Sequence, residues 1–297
     1  MLSDSPRRVG FTLLELLVTL GIIALLMALF LPAVQKVRAA ADRMACMNQM
    51  RQLGLALHLY HRDYERFPSG LTTRHEAHVG MTWLVRLLPY LEHGAEWTLA
   101  EQAYQIERDG HVNPPHSGFA TVVRVFRCPA DERLGSPQYT HHGLRPAFTS
   151  YLGVLGRDFL RKDGVLFENS RIRITDIRDG SSNTVLVGER PPSADFWYGW
   201  WYTGSGRNGT GACDMVMGVN EVNINLSYAD GCPPGPEHFR PGQIDNPHDL
   251  LHYWSLHPHG GGFAFGDGAV RFLTYDAQRV LTALATRSGG EIVELPD

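Results

Sequence analysis

Residues Phe11 to Val34 read FTLLELLVTLGIIALLMALFLPAV, with one ionisable side chain, Glu15, in the whole run. A helix needs about 20 apolar residues to cross a bilayer, so this stretch is long enough to span one. Ten residues precede it, MLSDSPRRVG, and Arg7 and Arg8 lie beside the apolar segment. Cations in that place hold their end of the helix on the cytoplasmic side. The expected arrangement is a single pass through the inner membrane, N-terminus inside, with the rest of the chain in the periplasm or on an extracellular filament.

Outward from this stretch, QKVRAAADRMACMNQMRQLGLALHLYHRDY (Gln35 to Tyr64) carries Val37, Ala40, Ala41, Met44, Met47, Met50, Leu53, Leu57 and Tyr60. Their spacing of three and four predicts one face of a continuous helix. From Phe11 to Tyr64 such a helix is roughly 80 Å long. It should end there, since Pro68 and Gly70 follow closely. The predicted organisation is residues 1–10 as a leader, 11–34 as the membrane half of the helix and 35–64 as its periplasmic half. Residues 65–297 form a head with a loop-rich insert at about 204–256.

Three uses of the apolar run compete. It can be a plain signal anchor, or a secretory signal removed after Ala39-Ala40-Ala41. Lys36 and Arg38 stand where a neutral cleavage region belongs, which counts against removal there. The third use turns on Gly10-Phe11 and Glu15. A carboxylate in a membrane helix is costly, so a chain that keeps one has a partner for it.

Composition narrows the function classes. Lys+Arg is 27 and Asp+Glu 31, a formal charge of −4, which excludes nucleic-acid binding through a general basic surface. With 43% hydrophobic residues, disorder is excluded as the main state. Gly 31 and Pro 18 point to a turn-rich, β-rich head. Met81 to Gly94 predicts a short helix broken near Pro89, and 95–108 a second one. Strands are predicted at Thr121–Pro129, Thr149–Gly156, Arg171–Gly180, Asn183–Arg190 and the aromatic Phe196–Gly204. Gly260 to Leu273 predicts a hairpin turning at Asp267-Gly268. Asp276 is the expected cap of a last helix burying Val280, Leu281 and Leu284.

The segment GFTLLELLVTLGIIALL resembles the cleavage and methylation motif of type IV prepilins and type II secretion pseudopilins. The resemblance implies an α+β, type IV pilin-like fold: a long N-terminal helix packed on a head with an antiparallel sheet. It implies cleavage by a prepilin peptidase after Gly10 and N-methylation of Phe11. It also implies pairing of Glu15 with the amine of a neighbouring subunit, and a helix-loosening role for Pro32. Implied partners are other pilin-like subunits in a homo- or hetero-filament, an inner-membrane assembly platform and the lipid bilayer. Further motifs are FRCPAD (Phe126 to Asp131), ITDIRDGSSNTVLVGE (Ile174 to Glu189) and HPHGGGFAFGDGAVRFL (His257 to Leu273). They resemble a planctomycete-type pilin-like family known as a domain of unknown function. Its signature is His, nine residues, then Asp-Gly; here His257, Asp267 and Gly268 match it.

Chemical constellations are weak. His257, His259 and Asp267 offer metal donors, but no tight ligand spacing accompanies them, and no metal or other cofactor is expected. In major pseudopilins calcium sits near the C-terminus; Asp245, Asn246, Asp249 and Asp267 offer oxygens here without a recognisable loop, and calcium stays open. Ser181, Ser182 and Glu189 lack a nucleophile elbow, so no catalytic residue is expected. Trp197, Trp200 and Trp201, with Tyr198 and Tyr202, can stack on sugar rings but better suit a strand. Four cysteines allow three pairings. Cys46–Cys128, clipping helix to head, and Cys213–Cys232, closing a loop in the insert, are favoured over the other pairings and over four free thiols.

Two functions follow: a structural, pseudopilin-like subunit of a filament serving secretion, adhesion or uptake, or a membrane-tethered ligand-binding module that uses the motif for targeting only. Glu15 discriminates, since filament growth needs it and tethering does not.

Overall fold

The computed structural model describes residues 12–73, 76–140, 143–224, 232 and 234–291. The chain divides into two units, residues 1–42 and 43–297. Helix α1, Leu13–Tyr64, runs through both and carries Pro32 inside it. Its start is set by Thr12 and Glu15. The Thr12 backbone and hydroxyl donate to Glu15 Oε2 at 2.9 and 2.8 Å, and the Glu15 backbone donates to Thr12 Oγ1 at 3.3 Å. This is a reciprocal capping box, which satisfies two donors that a helix end leaves open.

In the first unit every residue from Thr12 to Ala41 is exposed. The second unit begins with the opposite condition. Cys46, Met47, Met50, Leu53, Ala56, Leu57 and Tyr60 are buried in the head. The predicted stripe is therefore right from Met47 onward, but Met44 and Val37 are exposed. Burial of each large apolar side chain in this stripe contributes about 1.5–3 kcal/mol.

Two short helices follow, α2 at Trp83–Leu87 and α3 at Gly94–Ile106, with a 3-10 turn at Leu88–Leu91 placing Pro89 between them. The sheet contains β1 (Tyr151–Gly156), β2 (Val185–Glu189), β3 (Val216–Gly218), β4 (Gly260–Phe265) and β5 (Val270–Thr274), in the order β3-β1-β2-β4-β5. The expected antiparallel sheet is corrected: β1 with β2, β2 with β4 and β4 with β5 are antiparallel, but β1 with β3 is parallel. β3 lies in the insert, reached by a long excursion rather than a hairpin, and so can run parallel to β1.

β1, β2 and β4 are buried along their whole length. One face packs Tyr151, Leu155 and Val187 with Met50, Leu53 and Leu57 of α1. The other packs Leu152, Val185 and Phe263 with Tyr253 and with Leu281 and Leu284 of helix α4, Gln278–Leu284. Covered on both sides, these strands read as continuous apolar runs.

Three predicted strands are absent. Arg124–Phe126 and Ile174–Asp176 form 3-10 turns. The aromatic segment is broken by positive φ at Phe196 (57°) and Gly199 (106°). The hairpin turns at Asp267-Gly268 as predicted, with Gly268 at φ 83° and Asp267 Oδ1 accepting the Ala269 N–H at 2.9 Å. Asp276 is not the cap of α4; it lies in a 3-10 turn, Tyr275–Ala277, that leads directly into the helix.

Candidate functional site

Glu15 is the single acidic residue of the apolar half of α1, and within one chain its carboxylate is held by Thr12. The T-x-x-E pattern that signals this capping box is present in the sequence as Thr12-Leu13-Leu14-Glu15. Leu13, Leu14, Leu17 and Phe30 are among a continuous set of exposed large apolar side chains here. In the described residues this is one helix long and apolar enough to cross a membrane. Gly10 and Phe11, the expected cleavage and methylation positions, lie outside the described residues.

The head holds a second constellation, built where α1, β2 and β4 meet. Cys46 and Cys128 form a disulfide with a Cα–Cα distance of 5.4 Å. The Cys128 backbone N–H donates to Ser150 Oγ at 2.9 Å, fixing the loop before β1. Glu189, the last residue of β2, lies opposite Tyr151 of β1 and accepts the Gly262 N–H of β4 on Oε2 at 2.6 Å. A Cβ at Gly262 would stand 2.7 Å from Met50 Sδ and 3.2 Å from Glu189 Oε2, so a side chain there would have to push the Met50 thioether aside. The loop before β4 brings in His257, whose backbone N–H donates to Ser255 Oγ at 3.0 Å. His257 Nε2 is 3.5 Å from Cys128 Sγ and 3.5 Å from Glu189 Oε1. All four side chains are buried, Glu189 at 2% exposure.

The residues of the His-x9-Asp-Gly pattern thus do two different jobs. His257 is drawn to Glu189 and the disulfide, while Gly268 turns the hairpin against α1. A Cβ placed on Gly54 of α1 would lie 3.7 Å from the Gly268 carbonyl oxygen, so helix and turn touch closely there. The candidate metal group His257, His259, Asp267 is not assembled. His259 is exposed, and Asp267 is at the far end of β4. Of the candidate calcium oxygens, Asp249 is taken by Arg240 (3.0 Å), His252 (2.8 Å) and the Gln243 N–H (2.7 Å). Ser181 and Ser182 sit in a 3-10 turn, not beside a base.

The expected Cys213–Cys232 bridge is corrected: both are free. Cys213 is fully buried against Arg207, and burial pushes its thiol up to about 12. Cys232 contacts His248 instead. The insert did not need a clip, because Ala212, Met215, Val216 and Met217 join the main cores.

A third feature is a pair of adjoining cavities of about 330 and 280 Å³. They share His111, Gly204 and Ser205, and the smaller one is lined by Trp197, Trp200 and Asp214. Asp214 accepts the Gly199 and Trp200 N–H groups at 2.9 and 3.0 Å, and burial raises its carboxyl to about 6. Trp201 and Tyr202, by contrast, are core residues.

Two family models match the chain, one over its N-terminal apolar segment and the other over the second half of α1 and most of the head. The family described as protein of unknown function DUF1559 matches residues 35–279. The prokaryotic N-terminal methylation motif matches residues 7–31. The competence protein ComGC of Halalkalibacterium halodurans is 32% identical over 65 residues, which is 22% of this chain and 64% of that protein. The chain therefore spans somewhat under two thirds of that relative's length. No solved structure matches.

Proposed function

We propose, from the premise that this chain belongs to the DUF1559 family and opens with a prokaryotic N-terminal methylation motif, that it is a pseudopilin-like structural subunit. A prepilin peptidase cuts after Gly10 and methylates the amine of Phe11. Residues 11–34 then anchor the subunit in the inner membrane, N-terminus inside and head in the periplasm. An inner-membrane platform draws subunits together through α1 into a periplasmic or surface filament serving secretion, adhesion or uptake.

The observation that carries this reading is the contrast along α1. Residues 12–41 are wholly exposed and 12–34 almost wholly apolar, while Cys46, Met47, Met50, Leu53, Leu57 and Tyr60 are buried in the head. The exposed half can be covered by lipid before assembly and by neighbouring helices after it. Glu15, capped by its own Thr12 within the single chain, keeps a carboxylate at the end of that surface. A methylated amine of the next subunit is cationic and attracts it strongly in a medium of low dielectric.

Glu15→Ala is the test. The variant should still be inserted, cut and methylated, yet yield few filaments, because breaking a buried charge pair costs about 3–5 kcal/mol. Normal filament yield from Glu15→Ala, with processing confirmed by mass spectrometry, sinks the assembly role. It favours the second reading, a membrane-tethered module whose aromatic cavities around Trp197 and Trp200 capture a ligand.

A further inference from the structure

We propose that Cys46, Cys128, Glu189 and His257 form a closed four-coordinate zinc site when the two cysteines are reduced, so that disulfide and metal are alternative occupants of one position. The site is separate from the assembly surface and stands whether or not the subunit polymerises.

The donor set comes first. One ligand atom from each of the four residues lies within 4.8 Å of the other three. Bonds of about 2.0–2.3 Å in a tetrahedral zinc site hold neighbouring ligand atoms roughly 3.3–3.8 Å apart. The two 3.5 Å distances from His257 Nε2, to Cys128 Sγ and to Glu189 Oε1, already fall in that range. Reduction frees the sulfurs to move apart to the same spacing. Two thiolates, an imidazole and a carboxylate in tetrahedral array suit zinc better than magnesium or calcium, which prefer all-oxygen shells.

The second observation is a buried polar atom that makes no hydrogen bond and whose nearest opposite charge is His257 at 3.5 Å. Glu189 Oε1 is buried and accepts no hydrogen bond, although Oε2 is held by Gly262. A buried carboxylate oxygen without a hydrogen bond costs free energy that a cation would recover. Oε1 faces His257 Nε2, the atom that also faces Cys128 Sγ. A small cavity of about 10 Å³ lined by Cys128, Ser150, Glu189 and Ser255 adjoins this point. The supporting contacts are those of a built site. Gly262 orients the carboxylate, Ser150 fixes the backbone of Cys128, and Ser255 holds the backbone of His257. Such outer contacts determine how well ligands are presented.

The exchange balances. A dithiol gives two electrons to the Cys46–Cys128 bond, which breaks. Each sulfur takes a proton and the dithiol becomes a disulfide. Zinc then displaces both thiol protons to solvent and binds the two thiolates, neutral His257 and ionised Glu189. Reoxidation by a disulfide catalyst reverses the electron transfer and expels the metal. Both occupants tie α1 to the head at the same place.

The test uses the full chain in detergent micelles. It is reduced with a dithiol, freed of reductant without air, and titrated with zinc chloride against a chromophoric chelator. One equivalent should bind the reduced chain and none the oxidised chain. Cobalt(II) in place of zinc should give thiolate charge-transfer bands and the intense visible bands of a tetrahedral site. Glu189→Gln and His257→Ala should each weaken binding by at least about tenfold. Cys232→Ala, which removes the other thiol–imidazole contact, should leave it unchanged. Tryptophan fluorescence checks that the reduced chain is still folded. No zinc on reduced protein, or uptake equal in Glu189→Gln and His257→Ala, overturns the proposal and leaves an ordinary buried His257–Glu189 contact.

Discussion

Removing the Cys46–Cys128 bond should cost the head a large part of its stability. The bond joins residues 82 apart in sequence. In the chain-entropy treatment a closed loop of that size removes about 15 cal/mol/K from the unfolded state, or about 4.5 kcal/mol at 298 K. That is comparable to a third or more of the net stability of a typical domain. The perturbation is the double variant Cys46→Ala, Cys128→Ala, compared with reduced wild type in metal-free buffer. All six tryptophans lie in the head, and Trp83 and Trp201 are buried. Their emission therefore reports unfolding of the head without interference from the apolar half of α1. With a urea slope of about 3 kcal/mol/M the midpoint should fall by roughly 1.5 M. Reduced wild type should behave as the double variant does. A loss below about 1 kcal/mol in both refutes the loop-closure reasoning. It would mean that α1 is already held against the head in the unfolded ensemble.

Two further outcomes are expected. Asp214 has a folded value near 6, above its ordinary 3.8, because it is buried. Its contribution is fully present below about pH 4 and lost as pH rises through 6, to a total of about 3 kcal/mol. Asp214→Asn keeps an acceptor for Gly199 and Trp200, so its advantage over wild type should grow between pH 4 and 7; equal pH profiles in urea unfolding refute this. Gly54→Ala should be tolerated, since its Cβ makes only ordinary contact at 3.7 Å and helix propensity improves by about 1 kcal/mol. Gly54→Leu should instead lower the unfolding midpoint by driving atoms into the Asp267-Gly268 turn, at about 1–3 kcal/mol.

What could be read from sequence was what a local pattern determines. The long helix, its buried outer face from Met47 on, the strands at Tyr151 and Val185 and the turn at Asp267-Gly268 each follow from periodicity or turn chemistry. Where the pattern and the structure part, the reason is in each case local to the segment. Thr121–Pro129 has β-type alternation, yet Val123, Val125 and Phe126 are buried without a partner strand, and a 3-10 turn suits that better. Arg171–Gly180 also forms a 3-10 turn, and of its isoleucines only Ile177 is buried. β3 hid within a Gly-rich segment because three residues carry no period. Asp276 has the right type for a cap, but the turn it occupies starts the helix from Ala277. Glu189 was visible as an acidic residue ending an apolar strand. Its neighbours Cys46, Cys128 and His257 are far away in sequence, and only the folded sheet brings them together.

The position of Cys46 has a mechanical consequence. It is the first buried residue of α1, at the edge where the helix enters the head. Tension carried along α1 would otherwise act on the contacts of Met47, Met50 and Leu53 one turn at a time. A covalent joint at the point of entry passes the load directly to the loop ahead of β1. The apolar contacts from Met47 to Tyr60 then lie beyond the joint, shielded from the pull. In the assembly proposed above, such a joint would let the chain be pulled through α1 without Met47, Met50 and Leu53 leaving the sheet.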